Sequence, residues 1–168
     1  MLVVTINGPD RTGLVESLAR QLAHVGANWE DSRMARLAGQ FAGILLVTVD
    51  SARTDELVAS LRGLEQGGVH VTARPTKATP AAATSTRMKL QVTAQDRPGI
   101  IRDVSRLLSE RGINIESLES QVASAAMSGE HMFSARLELL VPAGTTLAEI
   151  RTRLETLGSE LMVDLATT

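Results

Sequence analysis

Met88, Leu90, Val92 and Ala94 alternate with Lys89, Gln91, Thr93 and Gln95. A strand with one buried face produces this pattern, because successive side chains point to opposite sides of a sheet. Residues 2–7 form a similar strand. After each strand the apolar period lengthens. Leu14, Leu18 and Leu22 fall at i, i+4 and i+8, with Val15 and Val25 beside them. Ile100, Val104, Leu107 and Leu108, with Ile101, repeat that spacing. Each set predicts an amphipathic helix with one apolar stripe. Gly26 and Gly112 stand where such helices end in a left-handed residue. Two strands follow in each half: 28–37 and Phe41–Asp50 around Ala38-Gly39-Gln40, then 114–123 and His131–Val141 around a longer loop, Ser124–Glu130. Second helices are predicted over Thr54–Gln66 and Thr146–Leu157, and closing strands over Val69–Arg74 and Leu161–Leu165.

The two halves are copies. Asp10-Arg11-Thr12-Gly13 and Asp96-Arg97-Pro98-Gly99 lie 86 residues apart, as do Gly26-Ala27-Asn28 and Gly112-Ile113-Asn114. Arg20/Arg106, Leu22/Leu108 and Glu30/Glu116 keep the same offset. Six extra residues in the second hairpin then move it to 92, aligning Phe41 with Phe133 and Leu45 with Leu137. A register held this long marks an internal duplication. The order β-α-β-β-α-β, twice, predicts an α+β fold: two ferredoxin-like modules, each a four-stranded antiparallel sheet with both helices on one face. The expected divisions are residues 1–74, a linker over 75–87, and residues 88–168. The linker carries Pro75 and Pro80 and no large apolar residue. Extended, it spans roughly 40 Å, enough for the modules to pair side by side or to exchange with another chain.

Composition narrows the chemistry. Aromatic residues make up 2% of the 168 residues against 43% hydrophobic overall, so aliphatic side chains must fill the cores. There is no cysteine, which excludes disulfides and thiolate chemistry. Net charge is −2. Residues 1–74 hold 7 basic and 8 acidic side chains, and residues 88–168 hold 8 and 11. Neither half has the positive excess that phosphate neutralisation needs, so no direct nucleic-acid binding is expected. With no long apolar segment, no membrane association is expected and a cytoplasmic protein is the plain inference.

The turn before each first helix is the candidate site. N–H groups of a first helical turn lack intrahelical partners and sit at the positive end of the dipole, so a carboxylate can rest there. Gly13 and Gly99 allow close approach to the backbone. Asp10 and Asp96 have two readings: a helix cap, or a partner for an ammonium group. In the second, the loop would suit both ends of an amino acid.

These motifs resemble the ACT domain, a small-molecule regulatory module, over nearly all of the chain outside the linker. Two such domains in tandem without a catalytic domain resemble the glycine cleavage system transcriptional repressor family. The resemblance implies a non-catalytic regulator that senses glycine or another small amino acid and controls a transcription factor. It also implies sheets paired edge to edge and loops Gly8–Leu14 and Gln95–Ile100 as ligand sites. The implied ligand residues are Asp10, Arg11, Thr12, Gly13, Leu14 and Asn28 in the first copy, and Asp96, Arg97, Pro98, Gly99, Ile100 and Asn114 in the second. Asn28 and Asn114 would form the opposite wall from a paired domain. Thr12 departs from the proline of the second copy, which sets the two loops apart. Two other readings stay open: a regulatory subunit of an amino-acid metabolic enzyme, and a protein-interaction module without a ligand.

One further surface stands out. If Phe41, Leu45, Val47 and Val49 face the helices, then Ala42, Ile44, Leu46 and Thr48 face away, where the second copy has Ser134, Arg136, Glu138 and Leu140. The apolar face around Ala42, Ile44 and Leu46 is expected to meet a partner, in a homodimer or with a regulated protein; the alternative is cover from the linker or Trp29. His24, His70 and His131 share no ligand spacing, so no metal or other cofactor is expected. No nucleophile–base pair or phosphate loop is visible, so no catalytic residue is assigned. Glu30-Asp31 and Asp55-Glu56 read as solvated faces, and Met34, Met127 and Met132 as packing residues. An RNA-recognition module shares the element order but needs aromatic residues on the open face of its central strands; here the first strand presents none there, and the one phenylalanine of each third strand, Phe41 or Phe133, is expected to point inward.

Overall fold

The computed structural model describes residues 1–77, 85–124, 129–158 and 161–167. The chain divides into two compact units, Met1–Thr79 and Pro80–Thr168. In the first, strands β1 (Leu2–Pro9), β2 (Asn28–Leu37), β3 (Gln40–Thr48) and β4 (His70–Pro75) form an antiparallel sheet in the order β2-β3-β1-β4. Helices α1 (Leu14–Val25) and α2 (Thr54–Arg62) complete the unit. In the second, β5 (Ser85–Gln95), β6 (Asn114–Ser124), β7 (His131–Pro142) and β8 (Met162–Thr167) take the order β6-β7-β5-β8, with α3 (Ile100–Ser109) and α4 (Leu147–Glu155). Among the described residues no helix is long and apolar enough to cross a membrane.

The cores follow from the two periodicities. Leu14, Leu18, Leu22 and Val25 of α1 are buried against Leu2, Val4 and Ile6 of β1, Leu45 and Val47 of β3, and Leu57 and Leu61 of α2. Ile100, Val104, Leu107 and Leu108 of α3 do the same with Leu90, Val92, Phe133, Leu137, Ile150 and Leu154. Val15, expected beside the first stripe, is 45% exposed. It lies off the stripe in the first turn of α1.

Glycine and polar residues move several boundaries. α2 stops at Arg62 rather than Gln66, because Gly63 and Gly67 favour a tighter 3-10 turn over Gly63–Gly67. α4 covers Leu147–Glu155, opened by Thr146 and Glu149 in a reciprocal capping box. β5 begins at Ser85, three residues before the alternation, since backbone pairing of Ser85, Thr86 and Arg87 with Pro142, Val141 and Leu140 needs no apolar side chain. Linker residues 78–84, and Met127 in the second hairpin, lie outside the described residues.

Both units carry the same irregularity. The register of β2 on β3 shifts between Trp29 and Asp31, and that of β6 on β7 between Ile115 and Ser117. Glu30 and Glu116 are thus the extra residues of matching bulges. The bulge reverses the alternation: Trp29 sits opposite Val47 on the helix side, and Asp31 opposite Leu46 on the outer side. Trp29 packs against the first core. It therefore does not cover the outer face, one of the two covers expected from the sequence.

Leu18 has no solvent exposure. Leu18→Ala is expected to lower the unfolding free energy by about 2–5 kcal/mol, read by urea denaturation, through lost burial and a residual cavity. A loss below about 1 kcal/mol would mean that α1 is not packed as described.

Candidate functional site

In the first unit the chain leaves β1 at Pro9 and enters α1 at Leu14. Gly13 makes the corner at φ 84°, a left-handed conformation that a side chain would strain. No side chain caps α1. The helix-cap reading of Asp10 therefore does not hold. Its backbone N–H donates to Gly39 O at 2.9 Å, and its carboxylate accepts from Arg36 Nε at 2.6 Å. Arg36 lies opposite Phe41, at the end of β2 that borders this loop. The Arg11 guanidinium lies over Gly67, where an added Cβ would come within 2.2 Å of it. Gly8 also closes on Gly68, with 2.7 Å from an added Cβ to the carbonyl oxygen. A depression of about 470 Å³ adjoins the loop, lined by Asp10, Arg11, Gly13, Leu14, Val15 and Phe41 among others.

The second unit repeats the backbone and changes the side chains. Gly99 turns at φ 91°, no side chain caps α3, and Asp96 N–H donates to His131 O at 2.8 Å. The Asp96 carboxylate makes no hydrogen bond or ion pair among the described residues. Arg97 turns instead to Asp103, Nη1 to Oδ2 at 3.1 Å, and Arg102 joins at 3.0 Å. Hydrogen bonds from Arg102 and then Arg97 hold the Asp103 carboxyl below its ordinary range. Asp96 and Arg97 line a depression of about 230 Å³ with Ala94, Gln95, Leu157 and Leu161.

Asp10, Arg11, Thr12, Gly13 and Leu14 are brought together, as are Asp96, Arg97, Pro98, Gly99 and Ile100. Asn28 and Asn114 are not. Asn28 pairs with Thr48 while Leu37 pairs with Gln40, so Asn28 sits at the opposite end of its sheet from Asp10. Over that length a strand runs roughly 26 Å. Asn28 donates instead to Glu30, which also accepts from Thr48 Oγ1 at 2.6 Å. These bonds, that from Thr48 foremost, lower the Glu30 pKa; Glu30 and Asp31 are both exposed, on a solvated face. Glu116 takes Arg87 in its place.

The outer faces differ as expected. Ile44 is 48% exposed, and a depression of about 200 Å³ is formed by Val3, Asp31, Arg33, Ile44 and Leu46 among others. On the second sheet a larger one, about 420 Å³, is bordered by Lys89, Glu119, Arg136, Glu138 and Asp164. Among the described residues no three His, Asp or Glu side chains converge as metal ligands. Reading the sequence missed Arg36 and Asp103. Both differ between the copies, Arg36 against Val122 and Asp103 against Ser17, so a search for shared residues passes over them.

Comparison with known proteins agrees with this architecture. Models of the ACT domain match residues 1–72 and residues 89–155. The chain belongs to the ACT-domain family and carries two such domains in tandem. It is 30% identical over 166 residues to the glycine cleavage system transcriptional repressor of Escherichia coli (strain K12), covering 95% of this chain and 85% of that protein. A crystal structure of an unknown protein from Galdieria sulphuraria superposes with a TM-score of 0.87 at 28% identity, over 99% of this chain and 97% of that one. A putative glycine cleavage system transcriptional repressor superposes with a TM-score of 0.73 at 21% identity, over 99% and 96%, and shares the fold.

The lowered pKa of Asp103 has a consequence in acid. Its contribution to stability is present above the unfolded value near 3.8 and is lost as pH falls through the lower folded value. Urea unfolding of wild type and Asp103→Asn should differ near neutral pH and converge in acid. A gap that stays constant down to about pH 2 would contradict the Arg97–Asp103–Arg102 arrangement.

Proposed function

We propose that this chain is a non-catalytic regulatory protein that senses a small amino acid, glycine or one close to it, and signals through a protein partner. The observation that carries the reading is the repeated loop. In both units an aspartate, an arginine and a left-handed glycine stand at the start of a helix that no side chain caps, where a ligand carboxylate could accept from N–H groups of the first turn. The aspartate supplies an acceptor for the ammonium end. The loops lie beside depressions large enough for a small amino acid. Asn28 and Asn114 can reach such a ligand only from another ACT module, as in a dimer.

The similarity to a glycine cleavage system transcriptional repressor over most of both chains supports control of a transcription factor as the output. Binding of the amino acid then has to favour one arrangement of the regulator and its partner over another, since equal affinity for both would transmit nothing. The outer face with Ala42, Ile44 and Leu46 suits that contact: it is apolar, and Ile44 is half-exposed. Its counterpart with Arg136 and Glu138 suits a polar neighbour.

Thermal unfolding against each standard amino acid tests the reading, because a ligand that binds only the folded state raises Tm by mass action. A rise with one small amino acid is the expected result. No rise with any of them sinks the sensor. Co-purification with a large catalytic subunit instead of a transcription factor would favour a regulatory subunit of an amino-acid enzyme.

A further inference from the structure

We infer that the two loops are unequal, and that the residue pair Arg36 and Val122 decides which one takes the ligand. This rests on the sensing reading above. The loops share a backbone frame: Asp10 N–H is tied to Gly39 O and Asp96 N–H to His131 O. Arg36 lies opposite Phe41, and Val122 lies opposite Phe133. Those phenylalanines occupy matching places in the two copies, so Arg36 and Val122 do as well.

The consequence for the carboxylates is direct. Asp10 already holds a guanidinium at 2.6 Å, where an amino acid's ammonium group would bind. In the second unit the register position of Arg36 is held by Val122, which is half-exposed and has no charge to offer, and the Asp96 carboxylate has no partner among the described residues. An ammonium group entering the first loop has to displace Arg36; in the second it meets an unpaired acceptor. The Asp10–Arg36 pair is exposed, so the handicap is modest, about fivefold in affinity. The neighbouring arginines act in the same direction. The Arg11 guanidinium is already packed over Gly67. Arg97 and Arg102 share Asp103 at the start of α3, which leaves one excess positive charge there for a carboxylate. The Asp96–Ile100 loop is therefore the preferred ligand site, and Arg36 is the specificity-determining residue that weakens the Asp10 loop by competing for its carboxylate.

The test is a thermal-shift titration with each standard amino acid, on wild type and the variants Asp10→Asn, Asp96→Asn, Arg36→Val and Val122→Arg. Circular dichroism checks that each variant is folded. The wild-type response is expected to move to about fivefold higher ligand concentration in Asp96→Asn, where only the first loop remains, and to stay unchanged in Asp10→Asn. Val122→Arg, which rebuilds the ion pair in the second loop, should weaken apparent affinity about fivefold. Arg36→Val combined with Asp96→Asn should regain about the fivefold in apparent affinity that Asp96→Asn alone loses. Loss in Asp10→Asn with retention in Asp96→Asn overturns the assignment while the sensor reading stands, as does indifference to both exchanges at positions 36 and 122. Silence of every variant toward every amino acid overturns both.

Discussion

Each unit depends on covering one face of a four-stranded sheet with two helices, using aliphatic side chains almost alone. Val4, Leu18, Val47 and Leu57 in the first core, and Leu108, Leu139 and Leu154 in the second, have no solvent exposure. Each such burial contributes roughly 1.5–3 kcal/mol relative to exposure. A shift of one residue in any strand would turn that strand's apolar set outward, so the register is fixed by the core itself. The fixed register places the end of β1, the start of α1 and the tip of the β2–β3 hairpin at one edge. This brings Asp10 to Gly39 and Arg36, and Asp96 to His131.

The duplication keeps what the backbone requires and varies what a ligand or partner would meet. The left-handed Gly13 and Gly99 persist, as do the bulges at Glu30 and Glu116 and the core stripes. Around that frame the side chains diverge. Ile44 and Leu46 are matched by Arg136 and Glu138 on the outer faces, and Arg36 by Val122 beside the loops. Such divergence suits a proposed division of labour, with one unit holding the effector and the other offering an apolar surface. The energies involved are small, since exposed ion pairs contribute about 0–1 kcal/mol. They change occupancy without threatening the fold.

Most of the fold was legible because it is written in periods. Alternation from Met88 to Ala94 and the i, i+4 spacing of Leu14, Leu18 and Leu22 are local signals that the core then obeys. Helix ends were less legible: Gly63 tightens the chain into a 3-10 turn that apolar spacing through Leu64 conceals. The loops were legible as repeats, but their electrostatics were not. Arg36 reaches Asp10 across 26 positions of sequence, and only the hairpin register brings them together. The placement of Trp29 was hidden by the bulge at Glu30, because one extra residue breaks the alternation that runs back from Met34 and Ser32 and puts Trp29 on their side of the sheet.

The most direct measurement is an amide NMR titration of isotope-labelled protein with glycine, which reads each backbone N–H separately. If the second loop senses a small amino acid, shifts at Arg97, Gly99, Ile100 and Ile101 should reach their midpoint at about fivefold lower glycine concentration than those at Arg11, Gly13 or Val15. Shifts centred on the outer faces around Ile44 or Arg136, or no shifts at all, would contradict the account.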